Sequence, residues 1–212
     1  MRCTVCHSNK TKIYAEIKTK KYWECLFCFA KFLDSSDLLC EEDEYAHYCT
    51  HQNKIDDPNY RKFLSKLSIP LKCNLTSHRI GLDYGCGPGP ALAVMLEEDG
   101  FQMCKYDPFF FPNKKIFSKK FDFITCSETV EHFYNPNAEF VLLDKILNPT
   151  GIIAIMTNII TDDLNFENWY YHQDPTHVVF YTITTFKIIA QQRGWEVKFP
   201  ATNVVLFRKS KF

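Results

Sequence analysis

A chain of 212 residues is long enough for one sizeable core, or for a core with a small satellite. With 46% hydrophobic and 24% charged residues it reads as globular, which excludes an intrinsically disordered chain. Basic and acidic side chains number 25 each, and both residues 1–78 (12 and 10) and residues 79–212 (13 and 15) are near balance. No bulk basic excess of the kind common in nucleic-acid or lipid binders is therefore present.

The opening MRCTVCHSNK lacks the apolar core of a signal peptide, and no apolar run reaches the roughly 20 residues needed to span a bilayer. Four of the ten cysteines form two tight pairs and six are scattered, an arrangement that fits a reducing, cytoplasmic setting better than a disulfide framework. Cys3-x-x-Cys6 is followed after 18 residues by Cys25-x-x-Cys28. Two such pairs complete a tetrahedral sulfur site, so residues 1–40 are expected to be a zinc-binding module. The partly alternating IYAEIKTKKYWECLFC suits short strands, and the segment is too small to fold on a core of its own. Zinc is the default metal, and four sulfurs hold iron equally well. Full occupation by Cys3, Cys6, Cys25 and Cys28 leaves no open coordination position, which points to a structural role.

Residues 41–78 are expected to form a helical connector and lid. Six acids fall within residues 34–44, DSSDLLCEEDE, and read as a solvated connector. Beyond it, Tyr60, Phe63, Leu64 and Leu67 fall at helical spacing, predicting a helix entered through Asp57-Pro58 and closed by Pro70. His47, His51 and Asn53 read as polar surface, with His51 near enough in sequence to reach the mouth of a ligand site.

From Arg79 the pattern becomes strand (Ile80–Tyr84), glycine turn, helix (residues 88–98), and a second strand ending near Asp107. That is the front half of a doubly wound α/β sheet, in which ligands sit beyond the carboxyl ends of the strands. The dinucleotide fingerprint Gly-x-Gly-x-x-Gly fails, because Pro90 stands where its third glycine belongs. What fits is acid-x-Gly-x-Gly-x-Gly over Asp83, Gly85, Gly87 and Gly89, which resembles motif I of the class I S-adenosylmethionine-dependent methyltransferases. The resemblance implies that Asp83, Tyr84, Gly85, Cys86, Gly87 and Gly89 lie along the methionine part of the cofactor. It also places Asp107 against the ribose hydroxyls, which suits a carboxylate acceptor, with Pro108 and Phe109 beside it. FDFITCSETVEHF resembles the fourth strand and its loop, adding Ser127, Glu128 and His132. Residues 136–158 and 183–212 supply the later helices and strands in the family's order. The implied fold is a Rossmann-like class I methyltransferase sheet over residues 79–212, preceded by a small zinc-ribbon-like module. One departure stands out: only residues 108–120, without any acid, separate the second strand from the fourth. Either the third strand is very short or adenine is held differently, with Phe109, Phe110 and Phe111 as apolar walls.

Residues 167–182, ENWYYHQDPTHVVFYT, join the fifth strand to the next helix and roof the acceptor side in a sheet of this kind. Methyl transfer needs alignment, and a base only where the acceptor must lose a proton. His177 is the preferred base, since imidazole titrates near working pH. His132 serves either as a second base or to orient the cofactor, and Asp174 either shapes a turn or fixes a histidine tautomer. The DPTHV segment, the four cysteines and YAHYCTHQNKIDDPNYRKF together resemble a small bacterial subset of the class. Three readings remain open. A small-molecule methyltransferase is preferred. An RNA or protein methyltransferase gripping its substrate through the zinc module is the second, as in a ribosomal-RNA guanine methyltransferase family with a similar module. A non-enzymatic scaffold with a cofactor fold is the third.

Overall fold

The computed structural model describes residues 1–50, 54–76 and 78–211. The amino-terminal strands β1 (Thr11–Ile17), β2 (Lys20–Cys25) and β3 (Lys31–Leu33) form an antiparallel ribbon, with Cys25 and Cys28 at the turn between β2 and β3. After an acidic stretch come helix α1 (Glu41–Tyr48) and helix α2 (Pro58–Lys72). The four acids at the start of α1 lie where the helix dipole favours negative charge. Asp57 caps α2 by accepting the amides of Asn59 and Tyr60, with Pro58 at the first position.

Pro70 does not close α2, which continues to Lys72. The proline removes one intrahelical bond, but Leu64, Leu67 and Leu71 are buried on one face across it, and their packing carries the helix through.

The main sheet contains β4 (Ile80–Tyr84), β5 (Gln102–Tyr106), β6 (Phe121–Ser127), β7 (Leu147–Met156), β10 (Trp195–Ala201) and β11 (Val204–Lys209). Their order is β10-β11-β7-β6-β4-β5, with β11 antiparallel to β7 and the strands β7, β6, β4 and β5 parallel. Helix α3 (Ala91–Glu98) begins three residues later than the sequence suggests, because the glycine loop extends through Pro90. Helices α4 (Pro136–Ile146) and α5 (Ile183–Arg193) follow, the latter ended by left-handed Gly194. Leu67, Leu71, Leu92 and Leu96 of α2 and α3 share one core with Phe123, Ala154 and Met156. Phe140, Leu143, Phe186 and Ile189 of α4 and α5 pack in another with Ile153 and Ile155, so the sheet is covered on both faces. Between β5 and β6 the described chain has only a short turn of 3-10 helix, Lys114–Ser118, and no strand. β5 is therefore the sheet edge.

The ribbon is not a free satellite. β3 pairs with β9 (Val179–Thr182), which pairs in turn with the two-residue β8 (Ile159–Ile160), giving the order β1-β2-β3-β9-β8. Thr185 at the start of α5 donates to Cys28 O at 2.8 Å, and Asn137 of α4 reaches Val5 O at 3.2 Å. No helix among the described residues is long and apolar enough to cross a membrane.

Candidate active site

A cleft of about 800 Å³ opens at the carboxyl ends of the central strands, where ligands of doubly wound sheets bind. Asp83, Tyr84, Gly85, Cys86, Gly87, Gly89, Asp107, Pro108, Phe109, Ser127, Glu128, His132, Asp174 and His177 line it together. Phe110 joins them, whereas Phe111 instead closes a turn back onto Asp107. His51 and Asn53 lie outside the described residues.

The glycine loop is shaped by two left-handed residues, Gly85 (φ 76°) and Gly87 (φ 62°). A Cβ on Gly85 would meet Thr129 Cγ2 at 2.2 Å, while one on Gly87 would meet nothing within 4 Å. That open space beside Gly87 is a cradle that only glycine leaves clear. Asp107, buried at the end of β5, is fixed by three backbone amides. Its Oδ2 accepts from Gly87 N at 3.0 Å, and its Oδ1 from Phe109 N at 2.9 Å and Phe110 N at 3.0 Å. A carboxylate oxygen has room for two donors, so Oδ2 retains capacity for a ligand hydroxyl. Asp83 is buried, and burial pushes its pKa up to about 6 against the pull of the Thr125 hydroxyl (2.7 Å) and the Ala93 amide.

At the opposite end, the loop after β6 meets the turn before β9. Val178 N donates to Glu131 O at 2.9 Å, and the Tyr181 hydroxyl to Val130 O at 2.7 Å. His132 Nδ1 donates to Thr176 O at 3.0 Å and His177 Nδ1 to Tyr171 O at 2.6 Å. The two rings stand edge to face, 4.7 Å between centroids. His177 Nε2 lies 4.0 Å from Asp174 Oδ2, and His47 of α1 pairs with Asp174 Oδ1 at 3.1 Å. Burial alone would raise the Asp174 pKa, but the Thr176 hydroxyl and amide, with His177 and His47, hold it well below the usual carboxylate range.

Glu128 and Glu131 were not joined to each other by sequence reasoning, and Tyr171 was not singled out at all. The Tyr171 hydroxyl contacts both carboxylates, Glu131 closely and Glu128 Oε2 at 3.3 Å, and meets Thr157 Oγ1 at 3.1 Å. Both carboxyl pKa values are raised, by burial first; the nearby Glu131 charge adds to the rise at Glu128. Glu128 also holds a left-handed backbone (φ 47°), a strained conformation for a residue with a side chain. From the helical segment before the sheet, α1 supplies Glu44 and Tyr48 and α2 supplies Tyr60, Phe63 and Lys66. Tyr48 packs against Phe109 and His132, which ties α1 to both ends of the cleft.

The four amino-terminal cysteines are buried, and their sulfurs all lie within 4.8 Å of one another. Cys3–Cys28 and Cys6–Cys25 are 3.7 and 3.6 Å apart, close to the about 3.8 Å that a tetrahedral ion with about 2.3 Å zinc–sulfur bonds requires. The two halves match: His7 N donates to Cys3 O and Phe29 N to Cys25 O, and both His7 (φ 62°) and Phe29 (φ 61°) are left-handed. The residues fit a zinc site. Sequence order cannot reveal this pairing, whereas the spacing of the cysteines reveals the ligand set.

Fold, glycine cradle and Asp107 together define a class I S-adenosylmethionine-dependent methyltransferase. A family model described as a methyltransferase domain matches residues 51–198, and the chain belongs to that family. A search of curated proteins finds no match. Among solved structures, the chain is similar to the Pyrococcus horikoshii protein PH0226 (15% identity, TM-score 0.53, covering 78% of this chain and 99% of that one). It is also similar to the calicheamicin-biosynthesis methyltransferase CalO1 in its S-adenosylhomocysteine-bound form (10% identity, TM-score 0.51, 72% of this chain). Of CalO1 the chain spans 55% of the length. Phosphoethanolamine N-methyltransferase 2 of Haemonchus contortus is matched at 16% identity and TM-score 0.50 over 63% of this chain and 38% of that one. At these identities the likeness is one of fold.

Proposed function

We propose that this methyltransferase acts on a small acceptor held between the glycine loop and the His132–His177 end of the cleft. The observation that carries the reading is the cleft itself. Its volume is of the size that encloses a small ligand, and the lid residues Tyr48, Tyr60 and Phe63 line it opposite the strands. In this reading residues 79–212 are catalytic, residues 41–78 are connector and lid, and residues 1–40 hold a structural zinc. Ten free cysteines support a reducing, cytoplasmic setting.

When bound, S-adenosylmethionine supplies an electrophilic methyl group for in-line transfer. Gly87 and Asp107 hold its ribose side, with Phe109 and Phe110 walling the ring in place of the missing third strand. On the acceptor side, donation from Nδ1 to Tyr171 O leaves Nε2 of His177 as the basic nitrogen. His177 takes the acceptor's proton there, and ionised Asp174 stabilises the imidazolium that results. Tyr171 holds Glu128 and Glu131 in place beside it.

An RNA or protein substrate is the second reading, and Leu26, Phe27 and Phe29, exposed around the second cysteine knuckle, are the observation that favours it. Against RNA, Lys12, Lys21 and Lys31 of the ribbon are each paired with Glu24 or Glu16, which breaks up a positive face. Incubation with methyl-labelled S-adenosylmethionine and cell extract, followed by size fractionation, tests the choice. Label in the small-molecule fraction is expected; label confined to RNA or protein would overturn it. The scaffold reading is tested by calorimetry, where failure to bind S-adenosylmethionine would remove the enzymatic account.

A further inference from the structure

The acceptor end of the cleft gathers more ligand atoms than proton transfer requires. One carboxylate oxygen of Glu131 and one ring nitrogen each of His132 and His177 lie within 4.8 Å of one another. Both histidines are held the same way, Nδ1 donating to a backbone carbonyl, Thr176 O for His132 and Tyr171 O for His177. Metal-bound histidines are typically oriented by such a bond, which fixes the tautomer and presents Nε2 as the ligand atom. Glu131 is fully buried, and its Oε2 has no hydrogen-bond partner. A buried carboxylate oxygen without a donor is costly, and a cation supplies the missing counter-charge. The two segments that carry these residues are locked in register by the Val178 N to Glu131 O bond, so the cluster is preorganised.

We propose that Glu131, His132 and His177 form a second metal site, for a divalent first-row transition metal such as zinc. Two imidazoles with one carboxylate suit zinc, iron or cobalt, whereas magnesium and calcium take oxygen-dominated shells. Three protein ligands leave a coordination position open, the arrangement of catalytic rather than structural zinc. His132 and His177 line the cleft, so a hydroxyl oxygen of the acceptor would be the natural occupant of that position. This rests on the reading of the cleft as the methyl-transfer site. In the loaded state His177 would be a ligand, the ion would weaken the acceptor's hold on its proton, and that proton would pass to solvent water in the open cleft. Asp174, 4.0 Å from His177 Nε2, stays as an outer carboxylate.

The test uses the full chain with its cysteine site filled by zinc, titrated with cobalt(II) and followed by absorption and by metal analysis after desalting. One equivalent of cobalt, the second metal ion per chain, is expected, with weak ligand-field bands and none of the intense sulfur-to-cobalt absorption of a thiolate site. Glu131→Gln and His177→Ala should each weaken this second ion by more than about 100-fold, beyond the 10- to 100-fold that loss of an outer partner costs. S-adenosylmethionine calorimetry on the same samples serves as the fold check. A wild-type chain that takes up only thiolate-bound metal would overturn the proposal, as would a second ion that both folded variants retain. Cobalt binding in a chain that fails to bind S-adenosylmethionine would leave the metal site standing and remove the methyl-transfer reading.

Discussion

In the proposed reading Asp107 is the side chain on which the cofactor end is built, because one carboxylate organises amides from two loops at once. Replacing it with alanine leaves three amides without that acceptor and removes the ligand's partner. S-adenosylmethionine affinity should fall about 100-fold, or about 3 kcal/mol, in titration calorimetry. Undiminished affinity in a folded variant would refute the role. Asp83 gives a pH dependence. Its pKa is raised by burial to about 6, so its proton stabilises the fold at low pH, and that contribution disappears as pH rises through about 6. A cationic ligand favours the ionised form, so S-adenosylmethionine should bind more tightly above this value than below it. Asp83→Asn should flatten that profile; a wild-type profile already flat would dismiss the coupling. The place of both aspartates in the cleft was legible in the sequence, Asp83 by its offset from the glycines and Asp107 by its position at the end of the next strand. Tyr171 and the Glu128–Glu131 pair were not, because their meeting depends on two distant segments converging, and neither segment carries a local signature of the other.

Elements were legible where one residue does one local job. The strand before the glycine loop and the aspartate-proline entry to α2 follow from turn chemistry and capping alone. Pro70 misled because its local cost is outweighed by a buried leucine face that sequence spacing shows but does not weigh. The cap of α5 offers a measurable case. Thr182 Oγ1 accepts from Thr185 N at 3.1 Å, and Thr185 Oγ1 is 3.0 Å from Thr182 N. Thr182→Ala should lower stability by about 1 kcal/mol in denaturant unfolding. Thr185→Val should lower it further, since Cys28 O then loses its buried donor as well. Equal losses from the two changes would mean that the bond to Cys28 contributes nothing.

Across the whole molecule the four-cysteine module is joined to the His177 segment through the pairing of β3 with β9, with Leu33 N bound to Val178 O at 2.8 Å. Long-range pairing of this kind has no sequence signal, which is why the module read as a satellite. Cys25→Ser should abolish metal retention at the thiolate site and lower the melting temperature. Through β9 it should also reduce methyl transfer more than S-adenosylmethionine binding, as measured by turnover and calorimetry side by side. Equal losses of the two would indicate general unfolding instead. The same pairing shapes how the chain is born. β3 leaves the ribosome early, yet its partner at Phe180 and Val179 is made almost a whole chain later. Until then the ribbon presents an unpaired strand edge, the kind of surface on which nascent chains associate wrongly. Contacts so distant in sequence also slow folding. Early capture of the metal at the four cysteines would hold the ribbon folded while that edge waits, so zinc supply during synthesis should raise the yield of soluble protein.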